Sequence, residues 1–349
     1  MAISQGAIDD LTRRGAERGV DLRPGLELVE ARLRTDIAAD LPFVDAAASY
    51  LAEAGGKRFR PMLVLLTGLL GDAEVTDADL VTAGVIVELV HLSSLYHDDV
   101  IDAADVRRGA PAAHVKFSNT VAILTGDFLL ARASELSAGL GVEVTAIMAA
   151  TIADLCQGQI REVQGSGEAA RHGAVRITPD RDHYLRVISE KTAALIAASC
   201  RLGALLSGQP RDAVETLTDF GRHLGLSFQL ADDVLDIQSQ ETESGKVPGT
   251  DLREGVQTLP VLLALESDGP GSRLAQLIEA GGGELGDAAV DEALILLREH
   301  PAMELARDAA RLEAAKAKRA LRDLAGQGGN SVVLDGLAYL ADYAVNRAG

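Results

Sequence analysis

Residues Glu88 to Pro111 read ELVHLSSLYHDDVIDAADVRRGAP, and this stretch decides the class of fold. Apolar residues recur at spacings of three and four, as at Leu89, Leu92 and Leu95, which is the period of an α-helix. The stretch then becomes acidic, and its last four residues, Arg-Gly-Ala-Pro, are typical of a turn. We therefore predict a long apolar helix with a carboxylate-rich end.

The same helical period extends through most of the chain, and no alternating β-branched run bounded by tight turns interrupts it. Abundant Ala and Leu also favour helix. We predict long helices over five stretches: Asp79 to Asp102, Thr120 to Leu140, Val142 to Gln164, Arg181 to Leu206 and Arg211 to Ser239. The sequence therefore predicts an all-α protein.

The domain organisation follows from the connections. No long linker rich in Pro, Gly or Ser divides the first 265 residues. The loosest run, Ser267 to Gly286, is interpreted as a surface excursion between late helices. We predict a single domain over residues 1–349, with a core at about residues 25–265 and a variable C-terminal helical region at 266–349.

The charge of the chain excludes several classes of function. There are 33 Lys and Arg against 52 Asp and Glu, a formal net charge of −19, and no Trp. Nucleic-acid binding needs basic faces and stacking rings, so this chain is a poor candidate for it. The same charge would repel anionic lipid and, at face value, a phosphorylated substrate.

The cellular setting is indicated by cysteine content and hydropathy. Cys156 and Cys200 are the only cysteines, and each lies in an apolar run, so both are interpreted as core residues and not as a disulfide or a zinc site. No uncharged run exceeds eleven residues, whereas a membrane span needs about 20. We expect a cytoplasmic protein with no transmembrane segment, and peripheral membrane contact stays open.

A short acidic motif occurs twice, as Asp98-Asp-Val-Ile-Asp102 and as Asp232-Asp-Val-Leu-Asp236. Residues four apart share a helix face, so the first and last aspartates of each motif point the same way. Like charges at this spacing destabilise a helix unless a cation lies between them. Mg²⁺ prefers carboxylate oxygens and completes its shell with water and substrate phosphate. One copy could be a solvated helix end, but two copies favour a metal site.

Basic residues that could bind an anionic group lie near both acidic motifs and at the start of an apolar helix. Residues Gly55 to Pro61 read GGKRFRP and place three cations at the start of an apolar helix, where free backbone amides also favour phosphate. Arg107-Arg follows the first acidic motif, Lys191-Thr interrupts an apolar helix, and Lys246 follows the second motif. Each one alone is typical of a solvated surface, but together they indicate a diphosphate site between two metal-bearing walls.

These residues and their order resemble the polyprenyl synthetase family, the all-trans isoprenyl diphosphate synthases. The resemblance covers about Leu51 to Leu265 and rests on GGKRFRP, the Glu88 to Pro111 stretch, AILTGDFLLARA, LCQGQIRE, EKTAALIAASCRLGA, FQLADDVLDI and GKVPGTDLREGVQTLP. It implies a single large bundle of antiparallel helices around a deep central cavity, in a homodimer. It also implies a prenyltransferase that condenses isopentenyl diphosphate onto an allylic diphosphate, with Mg²⁺ as cofactor.

The resemblance implies roles for individual residues. The Mg²⁺ ligands would be Asp98, Asp99, Asp102, Asp232, Asp233 and Asp236. The residues that assist the allylic diphosphate would be Arg107, Lys191, Thr192, Gln229 and Lys246. Those that hold the diphosphate of isopentenyl diphosphate would be Lys57, Arg60, His91 and Arg108. The catalytic candidates among them are Asp98, Asp102, Asp232 and Lys191, whereas Gln157-Gly-Gln159 is left without a role.

The chemistry suits such a site. Breaking the allylic C–O bond places negative charge on the departing diphosphate and positive charge on an allylic carbocation, so metal ions and fixed cations stabilise the transition state. Water would quench the cation, which favours an aliphatic cavity. The sequence departs from the family pattern at Val256, where the family often has lysine, and Lys246 and Arg253 are the candidates to replace that charge.

Product length in this family is set by the residues four and five positions before the first aspartate, where a large aromatic ring stops chain growth. Here these residues are Ser94 and Ser93, with Val90 one turn deeper. Tyr96 is about 200° around the helix and should face elsewhere. We predict a heptaprenyl to decaprenyl product that serves as a quinone side chain. The alternative is a geranylgeranyl or farnesyl diphosphate synthase in which another ring, such as Phe128, closes the cavity.

Three other functions agree less well with the residues. A class I terpene cyclase shares the first acidic motif, but its second motif mixes Asn or Asp with Ser, Thr and Glu, and it has no need of GGKRFRP. A ferritin-like di-iron protein is suggested by Glu88-Leu-Val-His91, but that fold needs a second such motif. A non-catalytic subunit of a heteromeric synthase tends to lose its aspartate motifs, and both are intact here.

Overall fold

The computed structural model describes residues 5–107, 109–166, 175, 177–239, 248–280, 285–326 and 329–347. Its helices are α1 (Gln5–Glu17), α2 (Arg23–Asp36), α3 (Pro42–Glu53), α4 (Phe59–Gly68), α5 (Ala78–Ile101), α6 (Ala113–Lys116), α7 (Asn119–Gly139), α8 (Val142–Gly165), α9 (Arg181–Ile188), α10 (Ala194–Leu206), α11 (Arg211–Gln238), α12 (Thr250–Arg253), α13 (Leu259–Asp268), α14 (Arg273–Ala280), α15 (Asp287–Arg298), α16 (Ala302–Ala325) and α17 (Ser331–Asn346). The prediction of an all-α protein is confirmed.

Two local features depart from a plain helical bundle. A π-helical turn over Ser189–Ala193 joins α9 to α10, where the sequence predicts one unbroken helix. A two-residue antiparallel hairpin pairs β1 (Val106–Arg107) with β2 (Ala110–Pro111) in a segment predicted to be a loop. The ends of the five predicted helices otherwise lie within one residue of the observed ones.

Buried ion pairs fix the start of α4. Arg58 precedes this helix with a left-handed backbone, φ 47°, which costs energy for any side chain other than glycine. Its guanidinium donates to Glu88 at 2.8 Å, to Glu30 at 2.7 Å and to the carbonyl oxygen of Ala52 at 3.0 Å. These contacts hold the strained residue in place, so Arg58 is a structural residue and Arg60, two positions on, reaches the cavity.

The apolar core consists of two clusters that meet along α11. The first lies around α4, α5, α10 and the N-terminal part of α11, and the second lies around the C-terminal part of α11 and helices α13, α15 and α16. Phe220 and Phe228 are fully buried on α11, and burying one such side chain stabilises the fold by about 1.5–3 kcal/mol. The second acidic motif ends this central helix, so its position is fixed by both clusters.

The C-terminal region is part of the same packing. Helix α16 lies along α11, and α17 contacts α16, α11, α4 and α1. The run predicted to be a surface excursion contains α14, whose Leu274, Leu277 and Ile278 are buried, so that interpretation is wrong for the helix. These three apolar residues span little more than one helical turn, and so short a pattern does not predict a buried helix from the sequence.

One helix of the described chain, α5, is long and apolar enough to cross a membrane by length and composition alone. Within the protein, 67% of its most apolar window is buried. A central core helix passes the same test, so α5 is a weak candidate for a membrane span.

Candidate functional site

A cavity of about 560 Å³ lies where α5, α8, α11 and the π turn approach one another. Its volume lies in the ordinary range for small-molecule sites. Part of its lining is aliphatic, from α5, α7 and α8, and includes Val90, Leu130, Ile152 and Leu155. The rest is strongly polar, which is the arrangement needed for a substrate with a charged head and a hydrocarbon body.

The first acidic motif places two of its three aspartates in this cavity. Asp98 lies in the last turn of α5 and Asp102 directly follows that helix, so they lie one turn apart, and both belong to the lining. Burial raises the pKa of Asp98. Burial, with the charge of Asp98 beside it, raises the pKa of Asp102 to about 7. Ionising these carboxylates is therefore unfavourable although the charge of Lys191 lowers both pKa values, and a bound metal ion would favour the ionised forms.

Asp99 lies outside the described lining of the cavity and is fully buried. Its carboxylate accepts hydrogen bonds from Arg107 Nε at 2.5 Å and from the backbone N–H of Ala113 at 3.2 Å. The contact holds the hairpin against α5, so that Arg107 lines the cavity. The assignment of Asp99 as a metal ligand stays a prediction, and in this structure the Asp99 carboxylate anchors Arg107.

The second acidic motif behaves in a similar way. Asp232 and Asp233 line the cavity, and Asp236 does not appear in its described lining. The Asp236 carboxylate accepts backbone N–H groups of Thr250 at 3.2 Å and Asp251 at 3.3 Å, which fixes the start of α12. In each motif, therefore, one aspartate organises the neighbouring connection while two face the cavity.

A buried hydrogen-bond network holds Asp233. The hydroxyl of Tyr184 donates to Asp233 Oδ2, and Gln229 Nε2 donates to Asp233 Oδ1 at 2.8 Å. Thr192 Oγ1 in turn donates to Gln229 Oε1 at 2.9 Å. Burial outweighs the two hydrogen bonds and raises the pKa of Asp233 to about 7. The network ties the second motif to the π turn.

Lys191 is the cation at the centre of the site. Its Nζ contacts Glu162 on α8. Burial lowers the pKa of Lys191, but the charges of Glu162, Asp98 and Asp102 outweigh burial and the pKa is raised. Lys191 therefore stays charged and lies between α8 and the first acidic motif.

Only some of the other predicted cations lie in the described lining of the cavity. Arg60, His91 and Arg107 line the cavity, whereas Lys57 is not in its described lining. Arg108 and Lys246 lie outside the described residues. Of the three cations in residues 55–61, Arg60 on α4 lines the described cavity, whereas Arg58 is bound to Glu30 and Glu88 inside the fold.

Val256 lines the cavity, and the structure excludes one of the two candidates to replace the usual lysine there. Arg253 lies 3.3 Å from Asp287 and donates to the carbonyl oxygen of Pro248. It is absent from the described lining of the cavity. The prediction for Arg253 is wrong because its side chain leaves α12 on the side facing α15.

The described lining carries a large excess of negative charge. It contains seven carboxylates, from Asp98, Asp102, Glu162, Asp232, Asp233, Asp251 and Glu254, against the three cations Arg60, Arg107 and Lys191. Burial raises the pKa of Asp251, with the charges of Asp236 and Asp233 beside it, and burial together with the charge of Glu162 raises the pKa of Glu254. Hard divalent cations bind such oxygen donors, so the donor set fits Mg²⁺ or a similar ion.

The carboxylates do not form a complete metal cage. Among the described residues, no three His, Cys, Asp or Glu side chains converge as a group able to hold a metal ion by themselves. Mg²⁺ usually keeps several waters and binds one or two carboxylates together with substrate phosphates. Carboxylates that line one cavity without forming a complete group of ligands therefore fit a metal ion that is held jointly by protein and diphosphate.

The raised pKa values of Asp102 and Asp233 predict that the protein without metal loses stability with rising pH. Each carboxyl binds its proton more tightly in the folded protein, near pH 7, than in the unfolded chain, near 3.8. The stabilising contribution is therefore complete below about pH 4 and is lost as the pH rises through about 7. In EDTA at pH 8, Asp102→Asn should unfold roughly 2–4 °C above the wild type. The difference in unfolding temperature between the variant and the wild type should be smaller at pH 5. A variant that is less stable than the wild type at pH 8 would contradict this account.

The structure also shows site residues that the sequence did not single out: Glu162, Tyr184, Asp251, Glu254 and Arg347. Arg347, near the C-terminus, lies 3.1 Å from Asp232 and donates to the carbonyl oxygen of Phe228 at 2.9 Å. Its guanidinium also covers the Phe228 ring, 3.8 Å from the centroid. Burial lowers the pKa of Arg347. No short motif marks this contact, because it joins residues 115 positions apart.

The residues predicted to control product length lie at the cavity. Ser93, Ser94 and Val90 all belong to its lining. Ser93 donates to the carbonyl oxygen of Gly126 at 2.8 Å, and Ser94 donates to His91 within α5 at 2.9 Å. Tyr96 lies away from the cavity, as predicted, since its hydroxyl bonds the backbone of α3. Phe128, the ring suggested as a floor, is not among the described lining residues.

Two smaller predictions are decided by contacts. Cys200 is buried, but Cys156 is exposed and lines the cavity, so its assignment to the core is wrong. Glu88 is buried against Arg58 at 2.8 Å, which leaves the Glu88-Leu-Val-His91 sequence without the carboxylate that a di-iron site would need.

Comparisons with known proteins agree with this geometry. The family profile described as polyprenyl synthetase matches residues 42–294. Nonaprenyl diphosphate synthase of Mycobacterium tuberculosis is 44% identical over 330 residues, covering 94% of each chain. Decaprenyl diphosphate synthase of Rhodobacter capsulatus superposes with a TM-score of 0.84 at 32% identity, covering 98% of this chain and 99% of the other. Geranylgeranyl pyrophosphate synthase of Corynebacterium glutamicum, solved with calcium and isoprenyl diphosphate, gives 0.79 at 38% identity, covering 94% and 96%.

Proposed function

The chain belongs to the polyprenyl synthetase family and is a prenyltransferase, and we propose that it condenses isopentenyl diphosphate with allylic diphosphates into an all-trans long-chain polyprenyl diphosphate. One observation carries the proposal. Asp98 and Asp102 share a cavity with Asp232 and Asp233, and that cavity continues past Ser94, where no aromatic side chain projects from α5. The proposed product is a heptaprenyl to decaprenyl diphosphate for a quinone side chain.

Enzymes of this family depend on divalent metal, and the Corynebacterium glutamicum structure contains calcium. We propose that the ion here is Mg²⁺ and that Asp98, Asp102, Asp232 and Asp233 would hold it. Once bound, it would supply positive charge to the diphosphate that leaves the allylic substrate. The unfavourable burial of these carboxylates supports the assignment, because a divalent ion would relieve their mutual repulsion.

The side chains of the protein perform the remaining tasks. Lys191 and Arg107 lie where they would bind the allylic diphosphate and stabilise the charge that develops on it, with Thr192 and Gln229 beside them. Arg60 and His91 are proposed to bind the diphosphate of isopentenyl diphosphate, together with Lys57 and Arg108. Aliphatic residues of α7 and α8 would keep water from the allylic cation.

Incubating the pure protein with isopentenyl diphosphate, farnesyl diphosphate and MgCl₂ tests the proposed reaction. We expect labelled isopentenyl units to enter a lengthened prenyl diphosphate, and EDTA to abolish their incorporation. Formation of a hydrocarbon from farnesyl diphosphate alone would indicate a terpene cyclase. Activity that appears only when a second chain is added would indicate a heteromeric synthase.

We also propose that the chain is one domain, acts in the cytoplasm and forms a homodimer. Support for association comes from large apolar side chains left exposed on two consecutive helices, namely Val115 on α6 and Ile123 and Leu124 on α7. Exposed apolar side chains that lie together often mark a site of contact between proteins. Light scattering should give twice the 36.5 kDa of one chain, and a value for a single chain would contradict the dimer.

A further inference from the structure

Gly158 lies in the Gln157-Gly-Gln159 block, for which the sequence suggests no role. It is buried on α8 and faces the π turn. A Cβ atom at this position would lie 2.5 Å from the backbone nitrogen of Lys191 and 3.0 Å from the carbonyl carbon of Glu190. Both neighbours are backbone atoms, so even alanine would require the π turn to move.

A second glycine meets the π turn from the other side. Gly225 is buried on α11, and a Cβ atom there would lie 2.6 Å from the Cα atom of Ala193. The π turn is therefore seated between two helices at points where neither has a side chain. These are also the helices that carry Glu162 and the second acidic motif.

Each glycine lies one helical turn before a side chain that contacts the π turn. Glu162, which contacts Lys191, lies four residues after Gly158, and Gln229, which accepts from Thr192, lies four residues after Gly225. Residues four apart share a helix face, so each glycine lies one turn from the side chain that bonds the π turn. Close approach of the backbones is what brings these partners within reach.

The π turn itself directs two adjacent side chains to two different helices. Lys191 points to α8 and Thr192 points to α11, and both line the cavity. A third link, from Arg161 to Glu190 at 2.9 Å, ties the turn to α8. Single π turns inside α-helices are rare and frequently occur at functional sites.

We propose that Gly158 and Gly225 are positioning residues, whose missing side chains seat the π turn so that Lys191 and Thr192 reach the allylic diphosphate. This inference rests on the proposed function, in which Lys191 and Thr192 serve that group. It assigns Gly158 a role in the reaction although the residue touches no substrate.

The first test is Gly158→Ala. The added methyl group needs a backbone shift, and a misplacement of about 1 Å can cost on the order of 10²-fold in rate. We expect kcat/KM for the allylic substrate to fall by about 10- to 10²-fold, with KM for isopentenyl diphosphate changed by less than about twofold. Gly139→Ala on α7 is the matched control, because a Cβ atom there has nothing within 4 Å, and its kinetics should equal those of the wild type.

A double-mutant cycle separates positioning from general damage to the fold. If Gly158 acts through the position of Lys191, the alanine should cost clearly less when Lys191 is already methionine, because only the part of its effect that passes through Thr192 then remains. An equal loss in both backgrounds, or wild-type kinetics in folded Gly158→Ala, would overturn the inference. If Gly158→Ala is recovered only as aggregate, the same cycle with Gly225→Ala and Thr192→Val decides it. A wild type that never extends the allylic primer would instead contradict the proposed function.

Discussion

Replacing Asp98 with asparagine should lower kcat/KM for the allylic substrate by about 10²–10³-fold, the loss expected when one group that stabilises transition-state charge is removed. Asparagine keeps the shape of the side chain but removes the negative charge that a divalent ion needs. Asp98 is half-buried in the cavity wall, where removal from water raises the pKa of its carboxyl, so its charge is unfavourable unless a cation lies beside it. The measurement is steady-state kinetics at saturating MgCl₂, repeated over a range of metal concentrations.

The matched control is Asp154→Asn, which removes an exposed carboxylate from α8 outside the cavity lining. It should change kcat/KM by less than about twofold. In EDTA the Asp98→Asn variant should be at least as stable as the wild type, because the buried charge is unfavourable without metal. A stable variant with wild-type kinetics would remove Asp98 from the catalytic site.

Ser94→Phe should shorten the main product by several isoprenoid units. Ser94 lines the cavity one turn before Asp98, so a phenyl ring there would occupy the space into which the growing chain extends. Condensation close to the acidic motifs would be unaffected, so turnover with a short primer should continue. Mass analysis of the products after complete conversion measures the change.

The control for this substitution is Ser94→Ala, which removes the hydroxyl bonded within α5 and adds no volume. Its product length should match that of the wild type. If Ser94→Phe leaves the product unchanged, the chain leaves the site by another route, and the role of Ser93, Ser94 and Val90 in chain length is contradicted.

The helices and the two acidic motifs could be predicted because each depends on local pattern. The apolar period of residues 78–101 specifies α5, and the four-residue spacing of Asp98 and Asp102 places both on the cavity face. Even the reversed orientation of Tyr96 follows from helix geometry. Such inferences need no knowledge of what the helix packs against.

The remaining features depend on partners that are distant in sequence. Nothing near Asp99 shows that it binds Arg107, and nothing near Arg58 shows that Glu30 and Glu88 surround it. The π turn is equally hidden, because its residues read as continuous helix and only packing against α8 and α11 shows the change. For the same reason the sequence assigned Arg253 to the cavity although the side chain lies beside Asp287.

The net charge of −19 takes on a different meaning at this site. Taken over the whole chain, it argues against phosphorylated substrates. Seven of the acidic side chains, however, lie around one cavity, where a bound divalent ion would reverse the local sign and attract diphosphate. The distribution of charge therefore matters more than its sum.

The central claim is most directly tested by the length of the product made by the wild-type protein from farnesyl diphosphate, excess isopentenyl diphosphate and MgCl₂. Mass spectrometry of the dephosphorylated products should show a main species between heptaprenyl and decaprenyl, because Ser93, Ser94 and Val90 leave the cavity open beyond the acidic motifs. A main species that stops at geranylgeranyl, with unreacted isopentenyl diphosphate remaining, would contradict it.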